Sequence, residues 1–286
     1  MSLETVVRAG SAALEPFSVA ITPERAGWSY SGLAVLDLPA GGMATWRSGR
    51  DEMLVLPLAG GCEVACDDER VTLTGRESVF SGVTDFAYVP RDARVRVSTV
   101  DGGRFAIPAA RASRRLPFRY APAAGVPVEL RGAGRASRQV NNFCSPEAFE
   151  ADRLIAVEVL TPGGNWSSYP PHKHDEAGAG ESELEEIYYF ESTGVGYQRV
   201  YGHPGKPIDV CAEVRTGDVV LIPYGFHGPS MAPPGYDLYY LNVMAGPGER
   251  AWRFTDDPAH AWIRATWEDP PLDPRLPLAA AAGRTA

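Results

Sequence analysis

Three histidines in the second half of the chain have the spacing of metal ligands. His172 and His174 are separated by one residue, and His227 follows a Pro-Tyr-Gly turn that starts at Pro223. Side chains two positions apart on a β-strand point to the same face, so both imidazoles of the pair can reach one ion. Neutral imidazoles joined by a carboxylate suit Zn, Mn, Fe, Ni or Co. The pattern predicts a divalent metal site.

The carboxylate of this site is expected from the segment Glu185-Glu186-Ile-Tyr188-Tyr-Phe190. Strand alternation places Glu186 on one face together with Tyr188 and Phe190, so Glu186 is the expected ligand and Glu185 is the alternative. The competing interpretation is that the histidines are surface residues beside proline-rich turns. It requires three ligand types to share a strand-compatible spacing by coincidence.

The elements that position these residues are expected to be β-strands. Gly (30 residues) and Pro (25 residues) are spread through the 286 residues as turn punctuation between short apolar, β-branched runs. Serial short strands favour sandwiches and barrels, so the chain is predicted to be all-β. A stretch rich in Ala, Arg, Pro and Gly between Pro108 and Arg138 predicts the domain junction. No histidine precedes position 172.

The expected organisation is an N-terminal barrel without metal at 1–125, a C-terminal metal-binding barrel at 126–275 and a flexible tail at 276–286. A net charge of −9 argues against a nucleic-acid partner. No apolar run is long enough to span a membrane, no signal layout is visible, and four cysteines are too few for a disulfide scaffold. The protein is therefore expected in the cytoplasm, as a possible homo-oligomer formed through strand edges.

The ligand pattern resembles the two cupin motifs, Gly-x5-His-x-His-x(3,4)-Glu and Gly-x5-Pro-x-Gly-x-x-His, although an insertion lengthens the gap between His174 and Glu186. Longer strings are similar to the 5-deoxy-glucuronate isomerase family of myo-inositol catabolism, which is related to the deoxy-uronate ketol-isomerases. These strings are Val140-Asn-Asn-Phe-Cys, Trp166-Ser-Ser-Tyr-Pro-Pro-His-Lys-His-Asp, Glu185-Glu-Ile-Tyr-Tyr-Phe, Gly196-Tyr-Gln-Arg-Val-Tyr and Pro223-Tyr-Gly-Phe-His-Gly-Pro.

This resemblance implies a bicupin, two double-stranded β-helix (jelly-roll) barrels, of which the second holds the metal through His172, His174, Glu186 and His227. It also implies that 5-deoxy-D-glucuronate is isomerised to 2-deoxy-5-keto-D-gluconate. Such an aldose–ketose conversion needs a proton carrier near the metal. Candidates for the proton carrier are Tyr188, Glu185 and Tyr240.

The substrate of such an isomerase is itself a carboxylate, and the planar guanidinium of arginine suits a carboxylate better than a point charge does. Arg199, in an alternating strand, is the expected anchor, and Lys173 and Tyr224 are further candidates for substrate binding. Two other functions remain open: an Fe(II) cupin dioxygenase, and a metal-stabilised bicupin that binds a sugar acid without turnover.

Overall fold

The computed structural model describes residues 4–268 and 271–278, and strands dominate them, which confirms the predicted all-β class. A single short α-helix, α1 (Pro23–Ala26), and three 3-10 turns (Ala123–Gly125, Gly134–Ala136 and Ala261–Trp267) interrupt the strands of this described part. The strands are β1 (Val6–Val7), β2 (Val19–Ile21), β3 (Ser31–Leu38), β4 (Met43–Arg47), β5 (Asp51–Cys66), β6 (Glu69–Arg76), β7 (Phe86–Val89), β8 (Arg94–Ser98), β9 (Gly103–Arg111), β10 (Arg119–Ala121), β11 (Val128–Arg131), β12 (Arg138–Cys144), β13 (Ile155–Thr161), β14 (Trp166–Ser167), β15 (His172–Lys173), β16 (Glu185–Ser192), β17 (Gly196–His203), β18 (Lys206–Val214), β19 (Val219–Ile222), β20 (Phe226–Met231), β21 (Leu238–Ala245) and β22 (Thr255–Asp256).

Strands β2 to β10 form one curled antiparallel sheet in the first half. Its main path runs β10-β7-β5-β9-β3-β2, and β4, β6 and β8 close the other side through β5. The long strand β5 pairs with β7 and β9 on one side of the curl and with β6 and β8 on the other. Apolar side chains such as Val55, Val64 and Phe105 fill the space that it encloses.

Two sheets build the second half. The order of the seven-stranded sheet is β1-β19-β16-β21-β13-β12-β11, and the order of the six-stranded sheet is β18-β17-β20-β15-β22, with β14 paired to β20. Alternate side chains of both sheets point into a shared interior that contains Tyr188, Phe190 and Tyr240 together with aliphatic residues. This arrangement is that of a jelly-roll barrel.

Buried polar contacts join the two halves. Arg76 of β6 makes a bidentate ion pair with Glu158 of β13, with Nη1–Oε1 and Nη2–Oε2 distances of 2.9 and 2.8 Å. Glu52 of β5 accepts hydrogen bonds from the backbone N–H groups of residues 152, 153 and 154, at 2.8, 2.5 and 2.8 Å. A buried charge must be paired or hydrogen-bonded to be tolerated, so these contacts bind the halves firmly.

The predicted domain limits stay a prediction, but the strands show how the halves are interwoven. Strand β1 lies in the first half of the sequence and pairs with β19, through Val6–Val220 and Val7–Val219, at the edge of the second half's larger sheet. Of the predicted flexible tail, residues 276–278 are described: Leu276 donates its N–H to the carbonyl of Asp273 at 3.0 Å, and Leu278 packs on the core. The rest of that tail lies outside the described residues. None of the described helices is long and apolar enough to cross a membrane.

Candidate metal centre

The ligand histidines lie on adjacent short strands and face the carboxylate of the larger sheet. His172 of β15 is directly opposite His227 of β20 in antiparallel register. Glu186 is near the start of β16, on the face that it shares with Tyr188 and Phe190. His174 follows β15 after one residue and accepts the N–H of Leu184 at its carbonyl (2.8 Å), which brings it beside β16.

Three ligand atoms converge at this place. His174, Glu186 and His227 each offer one atom within 4.8 Å of the others, and all three side chains are buried. The Nε2 atoms of His174 and His227 lie 3.1 and 2.9 Å from Oε2 of Glu186. The His172 ring is farther out, with its centroid 4.5 Å from that of His227 and 6.3 Å from that of His174.

The hydrogen bonds of the outer ring nitrogens prepare these histidines to bind a cation. Nδ1 of His172, His174 and His227 contacts the carbonyl oxygens of residues 170, 184 and 225 at 3.3, 3.3 and 3.4 Å. A carbonyl only accepts hydrogen bonds, so Nδ1 carries the proton of each neutral ring and Nε2 carries the lone pair. Nε2 of His174 is hydrogen-bonded to Oε2 of Glu186 at 3.1 Å, and it offers its lone pair to a cation once its own proton has left. Such second contacts are typical of metal-binding histidines.

An unpartnered nitrogen supports the fit of the cluster to a metal. Nε2 of His227 is buried and has no hydrogen-bond partner in the described chain, although Glu186 is only 2.9 Å away. The N–O separation is therefore close but is not aligned as a hydrogen bond. Buried polar atoms are almost always satisfied, so an orphaned nitrogen beside a carboxylate points to a missing cation. Two imidazoles and a carboxylate, with His172 nearby, are the donors that a divalent transition metal prefers.

Burial and mutual charge set the protonation of the cluster. Burial, assisted by the other two histidines, lowers the pKa of His172 well below its usual value. Burial alone would raise the pKa of Glu186, but His227 and His174 lower it well below its usual range. Burial lowers the pKa of His174, yet the hydrogen bond and charge of Glu186 outweigh burial and raise it. An ionised carboxylate beside imidazoles is the state in which a metal is bound.

A hydroxyl chain lies next to the ligands. Ser168 Oγ is 2.9 Å from the Tyr188 hydroxyl and 3.0 Å from the Tyr240 hydroxyl, and the two tyrosine rings stack with centroids 4.8 Å apart and planes 7° apart. Burial raises the pKa of both tyrosines, so both phenols hold their protons at neutral pH. Asn242 donates from Nδ2 to Oε1 of Glu186 at 2.5 Å and thereby orients the carboxylate.

Backbone geometry holds Ser168 in this position. Its φ is +45°, a conformation that residues with a Cβ atom rarely adopt. Gly228, the residue after His227, packs against it: a Cβ atom on Gly228 would lie 1.8 Å from the Ser168 carbonyl oxygen. Glycine at position 228 therefore allows the chain that carries Ser168 to pass directly over the strand that carries His227.

These residues line one pocket inside the second barrel. Two of the predicted ligands, the hydroxyl chain and Asn242 form one part of its wall, and three arginines contribute to another part. The lining residues are Arg131, Arg138, Val140, Val159, Ser168, His172, Glu186, Tyr188, Tyr240, Asn242, Trp252, Phe254 and Arg264.

Four residues predicted for the site lie elsewhere, and each has other partners. Glu185 points to the opposite face of β16 and accepts the N–H groups of residues 29, 30 and 31 at 2.7, 2.8 and 2.8 Å. Arg199 binds Asp209 and the Val210 carbonyl on the outer face of β17. The structure therefore places neither Glu185 nor Arg199 in the pocket that Glu186 lines.

The two other substrate-binding candidates are also engaged outside the pocket. Lys173 points away from the ligands, as alternation requires, and its Nζ is 2.9 Å from both Asp175 and Glu181. Tyr224 donates its hydroxyl hydrogen to the Pro207 carbonyl at 3.0 Å near the surface. Neither side chain lines the pocket.

Among the pocket residues that sequence reasoning missed are Asn242, Arg138 and Ser168. Asn242 is a polar residue within the apolar run Leu238–Ala245, on the same face as Tyr240, and this pattern was a usable signal. Arg138 is the first residue of β12, and from sequence alone it was assigned to the arginine-rich domain junction. Ser168 offered no signal, because its place depends on a backbone conformation that the local sequence does not display.

Two curled β-barrels with a His/Glu cluster inside the second define a bicupin, as the sequence predicts. A family model described as the KduI/IolB family matches residues 6–263, and the chain belongs to this family. The 5-deoxy-glucuronate isomerase of Geobacillus kaustophilus (strain HTA426) is 43% identical over 251 residues, which cover 86% of this chain and 90% of the relative. The protein of the same name from Bacillus subtilis (strain 168) is 38% identical over 249 residues, covering 85% and 91%. The predicted family is therefore confirmed.

Solved structures agree with this assignment. An IolB-like protein from Salmonella typhimurium LT2 superposes with a TM-score of 0.85 at 37% identity and covers 91% of this chain and 98% of that one. The oxalate decarboxylase of Lactobacillus farciminis superposes with a TM-score of 0.61 at 10% identity, covering 83% and 82%. The second likeness shows the fold alone and confirms the predicted bicupin architecture.

Proposed function

We propose that the protein is a metal-dependent aldose–ketose isomerase that converts 5-deoxy-D-glucuronate to 2-deoxy-5-keto-D-gluconate, as a step of myo-inositol catabolism. The observation that carries the proposal is the convergence of His174 and His227 on Glu186, a carboxylate that lines the same pocket as a buried chain of hydroxyl groups. The names of relatives that match most of the chain support the substrate.

The proposed ligands are His172, His174, Glu186 and His227, and the ion is Zn, Mn, Fe or Ni. When bound, a divalent ion supplies a Lewis acid that polarises the carbonyl oxygen of the aldose and stabilises negative charge on the neighbouring oxygen. The side chains fit this role because Glu186 is ionised and the imidazoles offer Nε2 lone pairs. Asn242 keeps the carboxylate turned towards the histidines.

The isomerisation moves hydrogen between the two carbons at the aldehyde end. A proton leaves C2 and one is added at C1, while the C1 oxygen gains a proton and the C2 oxygen loses one. Tyr188 and Tyr240 are the proposed carriers of the proton that passes between the two oxygens, because burial keeps both phenols protonated and Ser168 connects them. One phenol gives its proton to the C1 oxygen, and the proton that the C2 hydroxyl loses restores it. A proton given up by Tyr188 is replaceable from Tyr240 through the serine hydroxyl.

The pocket walls supply the remaining requirements. Val140 and Val159 line it with apolar surface beside the tyrosines, and Trp252 and Phe254 add aromatic surface. An apolar surround excludes water and strengthens the electrostatic interactions of the ligands with a bound sugar acid.

The neighbouring pair Glu185 and Glu186 allows a matched test. Purified protein loaded in turn with Zn, Mn, Fe(II) and Ni is incubated with 5-deoxy-D-glucuronate, and ketose formation and bound metal are measured for wild type, Glu186→Gln and Glu185→Gln. We expect wild type to form the ketose with at least one metal and Glu186→Gln to lose both metal and roughly 100-fold or more of activity. We expect Glu185→Gln to keep its metal while its melting temperature falls.

Two results contradict the proposal. One is the absence of ketose from the wild-type protein with every metal. The other is full activity of Glu186→Gln, since the single carboxylate of the cluster would then be dispensable. Oxygen consumption without ketose formation would identify a dioxygenase instead.

A further inference from the structure

The pocket that is lined by His172 and Glu186 is also lined by three arginines, of which Arg131 and Arg138 face each other directly. They are paired in the antiparallel register of β11 and β12, and Arg264 of the C-terminal 3-10 turn lines the same pocket. Like charges directly opposite on neighbouring strands are destabilising unless something compensates for them. The arrangement therefore calls for negative charge at this end of the pocket.

Two of the three arginines already have a carboxylate. Arg131 binds Glu129 in a bidentate pair, with Nε–Oε1 and Nη2–Oε2 distances of 2.8 and 2.7 Å. Arg264 binds Asp256 in the same manner, with Nη2 2.7 Å from Oδ1. Each of these guanidinium groups is matched by one negative charge, which leaves Arg138 as the pocket cation to be accounted for.

Arg138 has no carboxylate partner among the residues that the structure describes. Its hydrogen bonds there run from Nη1 to the carbonyl oxygens of Ala136 and Tyr169, at 3.0 and 3.4 Å, and its guanidinium lies over the ring of Trp267 at 5.1 Å. Only 5% of the residue is exposed. A buried charge without a counter-charge is costly, so proteins keep one where a ligand supplies the opposite charge.

Burial lowers the pKa of Arg138 to about 10, and the charges of Arg131 and Arg264 lower it as well. This value leaves the guanidinium charged at neutral pH. The lowering of this pKa shows that the surroundings of Arg138 disfavour its positive charge. An anion bound beside it would relieve that cost.

The strand register places Arg138 across the hydroxyl chain from the metal ligands. On the inner face of the larger sheet, Glu186 comes first, the row containing Tyr188 and Asn242 is next, and the row containing Tyr240 and Val140 follows. Arg138 is two residues beyond Val140 and shares its face. Arg138 also binds the carbonyl of Tyr169, the residue after Ser168. The pocket therefore offers a cation at one end, hydroxyl groups in the middle and metal ligands at the other end.

We propose that Arg138 binds the carboxylate of the sugar acid, so that the aldehyde end of the substrate lies at the His/Glu cluster and the tyrosines lie between the two. This inference rests on the proposed function, because it takes the orientation of the substrate from the metal-bound aldehyde end. Arg138 acts as a specificity residue: it selects uronates over neutral sugars of the same length, because a guanidinium donates two parallel hydrogen bonds to a carboxylate.

Binding to metal-free protein tests Arg138 separately from catalysis. D-Glucuronate and D-glucose, which differ in the carboxylate, are titrated into metal-free wild type, Arg138→Gln, Arg138→Lys and Arg199→Gln. We expect wild type to prefer D-glucuronate and Arg138→Gln to lose that preference by on the order of 100-fold. Arg138→Lys keeps the positive charge but lacks the planar guanidinium, so its preference for D-glucuronate should lie between those of wild type and Arg138→Gln. Arg199→Gln, at the rival outward-facing position, should keep the preference.

Turnover gives the second readout. In metal-loaded protein, Arg138→Gln should raise KM for 5-deoxy-D-glucuronate and leave bound metal unchanged. A wild-type protein without preference for D-glucuronate overturns the inference, as does a folded Arg138→Gln that retains the preference. If Arg138→Gln does not fold, an Arg138→Lys variant with the full wild-type preference overturns it equally. Failure of the proposed function looks different: no ketose is formed, while the glucuronate preference persists and depends on Arg138.

Discussion

Replacement of Asn242 by leucine tests whether the hydrogen bond to Glu186 prepares the cluster for a metal. Leucine has a similar volume but cannot donate to Oε1 of Glu186, which receives this bond at 2.5 Å in a buried place. A hydrogen bond to a charged group contributes roughly 1.5–3 kcal/mol. Loss of a residue that orients a metal ligand weakens metal affinity about 10- to 100-fold, or roughly 1.4–2.7 kcal/mol. The two ranges agree, so Asn242→Leu should weaken metal binding by this amount.

Asn141 supplies a matched control. It is also a buried asparagine on a strand, and its Nδ2 donates to Oε1 of the buried Glu158 at 2.6 Å, but that carboxylate pairs with Arg76 rather than with the histidines. Asn141→Leu should lower the free energy of unfolding by about 1.5–3 kcal/mol and leave metal affinity unchanged.

Competition with a chromophoric chelator measures metal affinity, and thermal unfolding of the metal-free proteins measures stability. The reasoning fails if folded Asn242→Leu binds metal as tightly as wild type. It also fails if Asn141→Leu loses the same affinity, because the effect would then report general loosening of the barrel.

Two further perturbations test the backbone of the pocket and the contacts between the halves. Gly228→Ala forces a Cβ atom against Ser168 and should lower both activity and melting temperature. The control is Gly205→Ala, which is also at positive φ (+88°) but has open space around it; it should cost about 1 kcal/mol of stability and leave activity intact. Equal losses of activity in the two variants would refute the steric argument. Asp152 has its pKa lowered to about 2: burial alone would raise it, but the hydrogen bonds from Arg114 and its neighbour outweigh burial. Its contribution to stability is therefore present above its unfolded pKa of roughly 4 and is lost as pH falls towards 2. The free energy of unfolding of wild type should exceed that of Asp152→Asn by on the order of 1 kcal/mol at pH 7, and this difference should disappear when unfolding is measured in acid. A difference that is the same at pH 7 and pH 2 would contradict this linkage.

The all-β class and the centre of the site were accessible from sequence because they depend on local periodicity, whereas the bicupin architecture followed from the family resemblance. Alternation along β16 separates Glu186 from Glu185 without any knowledge of the partner strands, and the structure places Glu186 beside His174 and His227. The same rule correctly turns Lys173 away from the ligands.

The far end of the pocket was not accessible in this way. Alternation assigns Arg199 to one of two faces but does not say which face is inward, and it points outward towards Asp209. Arg138 enters the pocket because β11, β12 and β13 pair in a particular register, and that register is a long-range property. A charged residue at a predicted domain junction gives no local sign that it will be buried without a counter-charge.

Glu185 and Glu186 are consecutive residues with different partners, and this adjacency makes the second half depend on the first. Glu186 faces the cluster, while Glu185 turns to the first half and accepts three of its backbone N–H groups. A protein shortened to the second half would lack the N–H groups that Glu185 accepts and the Arg76 side chain that pairs with Glu158. Removal of the first half would therefore also disturb the barrel that carries the chemistry, even though the first half contains no histidine. The first half serves as a structural support that the second half needs.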